Sequence, residues 1–199
     1  MKRPYPRMRT GVLIIGLLAG QLFAQNPPVN KNSLILEDFS HRVSDYVKLR
    51  KQAETDVPPL KQSKSPHEIS EREHAVAAKI QNARKTAKQG DIFSAEIAGE
   101  FKQLIRDSFK AEEGKQIHQS LRHAEPVRGV AEHVNQRYPR AVPLQSMPPT
   151  LLQNLPELPK DLDYRIVNHD LVLRDVQANL ILDFIPDAIP ASSNADAHP

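Results

Sequence analysis

The densest group of ionisable side chains in this 199-residue chain is His67, Glu68, Glu71, Glu73 and His74. On a helix His67, Glu71 and His74 stand at i, i+4 and i+7, one above another, so a divalent cation could bridge two of them. The HExxH pattern of zinc hydrolases is not met, because Glu71 stands where the second histidine would be needed. A solvated helix face, with acids favoured near the helix N-terminus, is the simpler account of the same residues. His67, Glu71 and His74 are the one metal-ligand set the spacing nominates. His118 and His123 are five apart and leave a helix on different sides, and His133 lies beyond Pro126.

Asp175 and Asp183 flank the last apolar run and raise the question of paired carboxylates for hydrolysis. Acid/base catalysis would need a cleft and a defined carboxylate separation, so turn and strand-edge roles are expected for both. His169 reads as a turn residue, and His41 with Asp45, an i, i+4 pair, as a surface hydrogen bond. No GxSxG elbow, phosphate-binding glycine loop or dinucleotide fingerprint occurs. The sequence therefore nominates no catalytic residue, and no cofactor is expected.

The formal charge of +3 comes from 27 Lys plus Arg against 24 Asp plus Glu. Lys2, Arg3, Arg7 and Arg9 fall in the first 25 residues with no acid, leaving 23 basic against 24 acidic groups, a net of −1, in the remainder. Basic and acidic side chains interleave there, so no nucleic-acid stripe is visible and no nucleic-acid partner is expected. Residues 11 to 24 (GVLIIGLLAGQLFA) are almost wholly apolar and end at Leu22-Phe23-Ala24. This is the layout of a secretory signal over residues 1–25. As a helix its 14 residues rise about 21 Å, short of the roughly 30 Å hydrocarbon core, and no later run spans a membrane. The expected product is exported to the periplasm or the medium, begins near Gln25 or Asn26, and has no transmembrane segment. With no cysteine in the chain, disulfides, thiolate metal sites and thiol chemistry are excluded.

These residues must be positioned by a helical region (26–125), a proline-rich strap (126–160) and a small β unit (161–186), followed by a disordered tail (187–199). Leu36, Phe39, Val43, Tyr46 and Val47 recur at helical spacing and predict a helix over 34–54. Ser65-Pro66-His67-Glu68 reads as a capping box that opens a second helix, ended by Gly90-Asp91. Ile69, Val76, Ile80, Ala83 and Ala87 form its apolar seam, with Glu73 a charged intruder. Ser94 is the expected cap of a third helix, striped by Ile97, Phe101, Leu104, Ile105 and Phe109. A shorter helix is expected at 115–123. Seven prolines between Pro126 and Pro159 preclude a regular helix there, leaving one turn at Leu151–Leu155. The run YRIVNHDLVLRDVQANLILDFIP then predicts three antiparallel strands, with turns at Asn168-His169 and Asp175–Asn179. The expected fold class is α+β: about three helices, the strap, and a small antiparallel meander.

The chain resembles a family of uncharacterised bacterial exported proteins. The resemblance rests on FSHRVSDYVKL (39–49), KQGDIF (88–93), Tyr138-Pro139, Pro143-Leu144, Pro148-Pro149-Thr150-Leu151-Leu152 and the long terminal block LPELPKDLDYRIVNHDLVLRDVQANLILDFIPDAIP. Members often carry glycine in the hairpin turn where this chain has Asn168-His169. More loosely, the terminal hairpin is similar to that of other periplasmic families, nickel/cobalt-homeostasis proteins among them, and a hairpin alone carries no metal function. The expected role is non-catalytic: binding to an envelope protein or other envelope component through the helical surface or the Pro148–Pro159 strap. The alternative is a metal-binding or metal-responsive periplasmic protein using His67, Glu71 and His74.

Overall fold

The computed structural model describes residues 30–59, 65–123, 131–143, 145 and 147–190. The expected signal segment and residues 191–199 of the expected tail lie outside them, whereas 187–190, also expected in the disordered tail, are packed, with Ala188 and Ile189 buried and the Ile189 N–H donating to the His169 carbonyl. No helix among the described residues is long and apolar enough to cross a membrane.

Helix α1 (Lys31–Thr55) starts where Asn30 accepts the Asn32 N–H through its side chain, and it buries Phe39, Val43, Tyr46, Arg50 and Ala53 along one stripe. Helix α2 (Pro66–Ala83) opens at Ser65 with proline at its first position, as read from the sequence, but without the side-chain cap bond. It ends seven residues before Gly90. Its last turn gives way at Arg84 because that side chain runs inward, with Nη2 donating to the Leu182 carbonyl at 3.0 Å, and the chain then turns to meet the sheet. Gly90 takes φ +91°, a left-handed conformation that favours glycine. Ile69, expected on the seam, is 48% exposed.

Ser94 caps α3 (Ala95–Lys110), accepting the Ile97 N–H. Helix α4 (Gly114–His123) matches the expected short helix, and α5 (Pro149–Leu152) is a single turn that starts two residues before the one expected at Leu151–Leu155, with proline at its first position. Strands β1 (Leu162–Val167), β2 (Asp170–Asp175) and β3 (Leu180–Ile185) form one antiparallel sheet in sequence order. Val167 faces Asp170, so Asn168-His169 is a two-residue turn, and Asn168 meets its left-handed requirement at φ 55° without glycine. The register shifts between the pairs Leu173–Asp183 and Arg174–Ile181, where β3 carries the extra residue Leu182.

A three-stranded sheet needs an apolar face packed against a cover to persist, and here both faces are covered. One face packs on the helices, where Phe39, Phe93 and Phe101 meet at centroid distances of 4.9 to 5.6 Å and Tyr164 approaches Phe101 at 6.0 Å. Buried helix and strand residues belong to this one cluster, so the helical and β regions share a core. The opposite face carries a smaller cluster of Tyr138, Val167, Val172 and Ile181. The strap supplies its cover. It pairs with the outer edge of β3 through Arg137 and Leu180, places Tyr138 over the second face, and reaches the outer edge of β1 at Gln145 and Ile166.

Candidate functional site

His67, Glu71 and His74 stand exposed on α2. Among the described residues no group of three or more His, Asp or Glu side chains is placed to hold a metal ion. Elsewhere His118 packs edge-on against Phe109 at 4.9 Å, and His169 is exposed in the hairpin turn. His41 approaches Glu37 at 3.7 Å, whereas Asp45 takes Lys48 at 2.9 Å, so the expected His41–Asp45 bond is replaced by two other helical pairs.

Asp175 and Asp183 depart most from expectation: both are fully buried. Asp175 does serve its turn, accepting the Ala178 N–H at 2.7 Å. Its other oxygen accepts the Tyr46 hydroxyl and Arg50 Nε, each at 2.7 Å, which ties α1 to the end of β2. Arg50 spreads its remaining donors over Glu54 at 2.9 Å and Asp161 at 3.3 Å. Burial alone would lower the Arg50 pKa, but Asp175, Glu54 and Asp161 outweigh it and hold the guanidinium above its ordinary value. Burial and the adjacent Asp175 charge push the Tyr46 phenol well up. Asp183 is cradled by backbone: it accepts the N–H groups of Gly90 at 3.0 Å and of Ile92 and Phe93 at 2.8 Å. The 88–93 segment thus wraps a carboxylate of β3. Both aspartates have their lone pairs occupied by the fold, so they anchor helices to the sheet and are not free to act on a substrate.

Arg84 completes this layer. Its guanidinium lies 5.4 Å from the Tyr46 ring centroid, and burial lowers its pKa. Glu73 also found a task the helical pattern did not reveal: its two oxygens take Arg137 and Arg140 of the strap, each at 2.7 Å. Asn135 reinforces that junction, donating to the Gln81 and Arg84 carbonyls while Gln81 donates back to the Asn135 carbonyl.

Apart from Arg84 Nη1, which is buried without an acceptor, the interior ionisable groups described above are committed, and concave surface is what remains to meet another molecule. A groove of about 500 Å³ runs between β1 and the strap's return through α5, with Met147, Leu152, Leu155 and Leu158 among its walls. Leu152, at 46% exposed, is a large apolar side chain left at its mouth. A second groove, of about 480 Å³, lies between α2 and the β2–β3 turn, floored by Ile69, Val76 and Val176 and rimmed by Glu54, Arg72 and Glu73. The ion pairs of Glu54 with Arg50 and of Glu73 with the strap arginines crowd its rim with charge.

The first groove is the stronger site, since its apolar wall is continuous with the core. The Pro148–Pro159 strap was visible in the sequence as a docking candidate, but its counterpart, β1 from Leu162 to Arg165, was not. Alternating residues there gave the signal of an ordinary half-buried strand, with nothing to mark it as a groove wall. No family model matches the chain, and neither curated proteins nor solved structures provide a match.

Proposed function

We propose that this chain is an exported, non-catalytic binding protein of the bacterial cell envelope, and that the groove between α5 and β1 is its binding face. The observation that carries the reading is that groove: an apolar trough of about 500 Å³ with Leu152 exposed at its mouth. Large apolar side chains left beside a concavity favour contact with another molecule. The commitment of Asp175, Asp183, Arg50 and Tyr46 to one another and to backbone supports a non-catalytic role. Export rests on the basic and apolar leader of residues 1–25 and on the resemblance of the terminal block to exported bacterial proteins.

The test places a photo-crosslinking amino acid at position 152 of the full chain in growing bacteria, with position 79 on the outer face of α2 as control. A discrete adduct from 152, missing from 79 and missing when Leu158→Asp is added, is the expected result. Indistinguishable adducts from the two positions would overturn the binding face. Fractionation of the same cells checks export: a processed product outside the cytoplasm is expected, and an unprocessed product confined to the cytoplasm would refute it.

A further inference from the structure

The charge around the second groove is sorted by sign, and the sorting describes a ligand. The floor is aliphatic: Ile69 and Val76 come from α2 and Val176 from the β2–β3 turn. Ile69 and Val176 are two of the four large apolar side chains exposed among the described residues, and both line this one trough. An apolar group laid over them gains from burial.

The two walls carry opposite charge. Where α1 ends, the single guanidinium of Arg50 faces three carboxylates, Asp175 at 2.7 Å, Glu54 at 2.9 Å and Asp161 at 3.3 Å. On the α2 side three guanidiniums accompany one carboxylate. Arg137 and Arg140 share Glu73, and Arg72, on the lining, has no acid partner among the described residues. The first wall is therefore net negative and the second net positive, although the groove and its surroundings balance as a whole.

The polar groups on the lining are only half spent by the fold. Buried Arg50 Nη2 meets Glu54 Oε1 and also donates to Gln177 Oε1 at 2.8 Å, so one nitrogen holds these two side chains next to each other. That bond fixes the Gln177 amide with its oxygen inward. The second oxygen of Glu54 and the amide nitrogen of Gln177 are left over, an acceptor beside a donor. Arg72 spends Nε on the Pro58 carbonyl at 3.3 Å and keeps both Nη groups.

We infer that this groove binds a short apolar peptide with free termini. The peptide ammonium meets Glu54, its first carbonyl accepts from Gln177, its carboxylate meets the Arg72 fork, and its side chains lie over Ile69, Val76 and Val176. Three aliphatic floor residues exceed what one ligand side chain covers, which favours a dipeptide over a free amino acid, and the volume of about 480 Å³ lies in the range of small-molecule sites. The site is separate from the groove between α5 and β1 and does not rest on that reading.

The probe is Leu-Leu with both termini free, titrated into the full chain as purified from cells and followed by amide NMR. Shifts at 54, 69–76 and 176–177 that saturate within about 10 mM are expected. Acetyl-Leu-Leu, which lacks the ammonium, and Leu-Leu-amide, which lacks the carboxylate, should each bind about tenfold more weakly, and free leucine more weakly still. Arg72→Gln should weaken Leu-Leu about tenfold and add no further loss for Leu-Leu-amide, because the carboxylate and the guanidinium are then one interaction.

An unchanged melting curve checks the fold of the Arg72→Gln chain. If that chain melts early, the blocked peptides on the unsubstituted chain decide. Equal binding of free and blocked peptides overturns the charge reading and with it the proposal. Shifts confined to 147–158, or none that saturate, overturn the site, and leucine binding as tightly as Leu-Leu overturns the choice of a peptide.

Discussion

The two faces of the sheet are held by different chemistry. On the helix side, fully buried Asp175 and Asp183 reach Tyr46, Arg50 and the backbone of Gly90, Ile92 and Phe93, all enclosed by the larger apolar cluster. On the strap side a cluster of four fully buried residues is flanked by half-exposed pairs such as Glu73 with Arg137 and Asp163 with Arg165. Attraction between charges is strong where water is excluded, and loss of one partner strands the other; at a half-exposed site water replaces much of what is lost. The helix side is therefore committed, and on the strap side the partly exposed pairs, unlike buried Arg174, can be altered at small expense in stability. The groove between α5 and β1 lies at the margin of the larger cluster, to which its Met147, Leu155 and Leu162 belong.

The largest perturbation should be Asp175→Ala. It leaves Arg50 Nε and the Tyr46 hydroxyl buried without their acceptor, and a loss of about 4 kcal/mol is expected in urea unfolding. A loss under about 1 kcal/mol would erase the contrast between the faces. Next comes Asp183→Ala, expected to cost about 3 kcal/mol because three backbone donors lose a buried carboxylate. Hydrogen exchange should place the damage at 88–93, and equal loss of protection throughout the sheet would contradict a local cradle.

Glu73→Gln, the strap-side counterpart, should cost no more than about 1 kcal/mol, since its partners Arg137 and Arg140 are 25% and 56% exposed. Raised salt should shrink the difference from the unsubstituted chain. If Glu73→Gln instead matched Asp175→Ala, the two faces would be energetically alike.

The smallest effect expected is a pH dependence at the hairpin end. Burial raises the Glu132 and Asp170 carboxyls above their ordinary values, and each also feels its carboxylate neighbour: Asp170 for Glu132, and Asp187 for Asp170. A raised folded-state pKa means the native form binds the proton more tightly. Their contribution is thus fully present below the unfolded value and is lost as pH rises through the folded one. Carbon-13 titration should find both carboxyls above the exposed Asp45, which Lys48 lowers through its hydrogen bond and its charge. Glu132→Gln should remove part of the corresponding stability slope. An Asp45 midpoint above theirs would reverse the assignment.

Legibility followed the range of the interactions. The α1 stripe, the Ser94 cap and all three strands could be read because 3.6- and 2-residue periodicities and Asn turn chemistry are local. The end of α2 could not, since Gly90-Asp91 is a good local stop and the actual break at Arg84 follows from a bond to Leu182, 98 residues away. Glu73 looked like a flaw in an apolar seam until the strap arginines, 64 and 67 residues on, came to meet it.

The sequence by itself determined the kinds and order of the elements, the absence of thiol chemistry and the two-residue hairpin turn. Tertiary structure decided which ionisable groups are spent. Asp175 and Tyr46 are 129 residues apart and Asp183 and Ile92 are 91, so no local pattern could report their bonds. The same holds for β1 as a groove wall. Whether a strand lines a groove depends on where a distant strap leaves it, and a side-chain alternation of two is identical in either case.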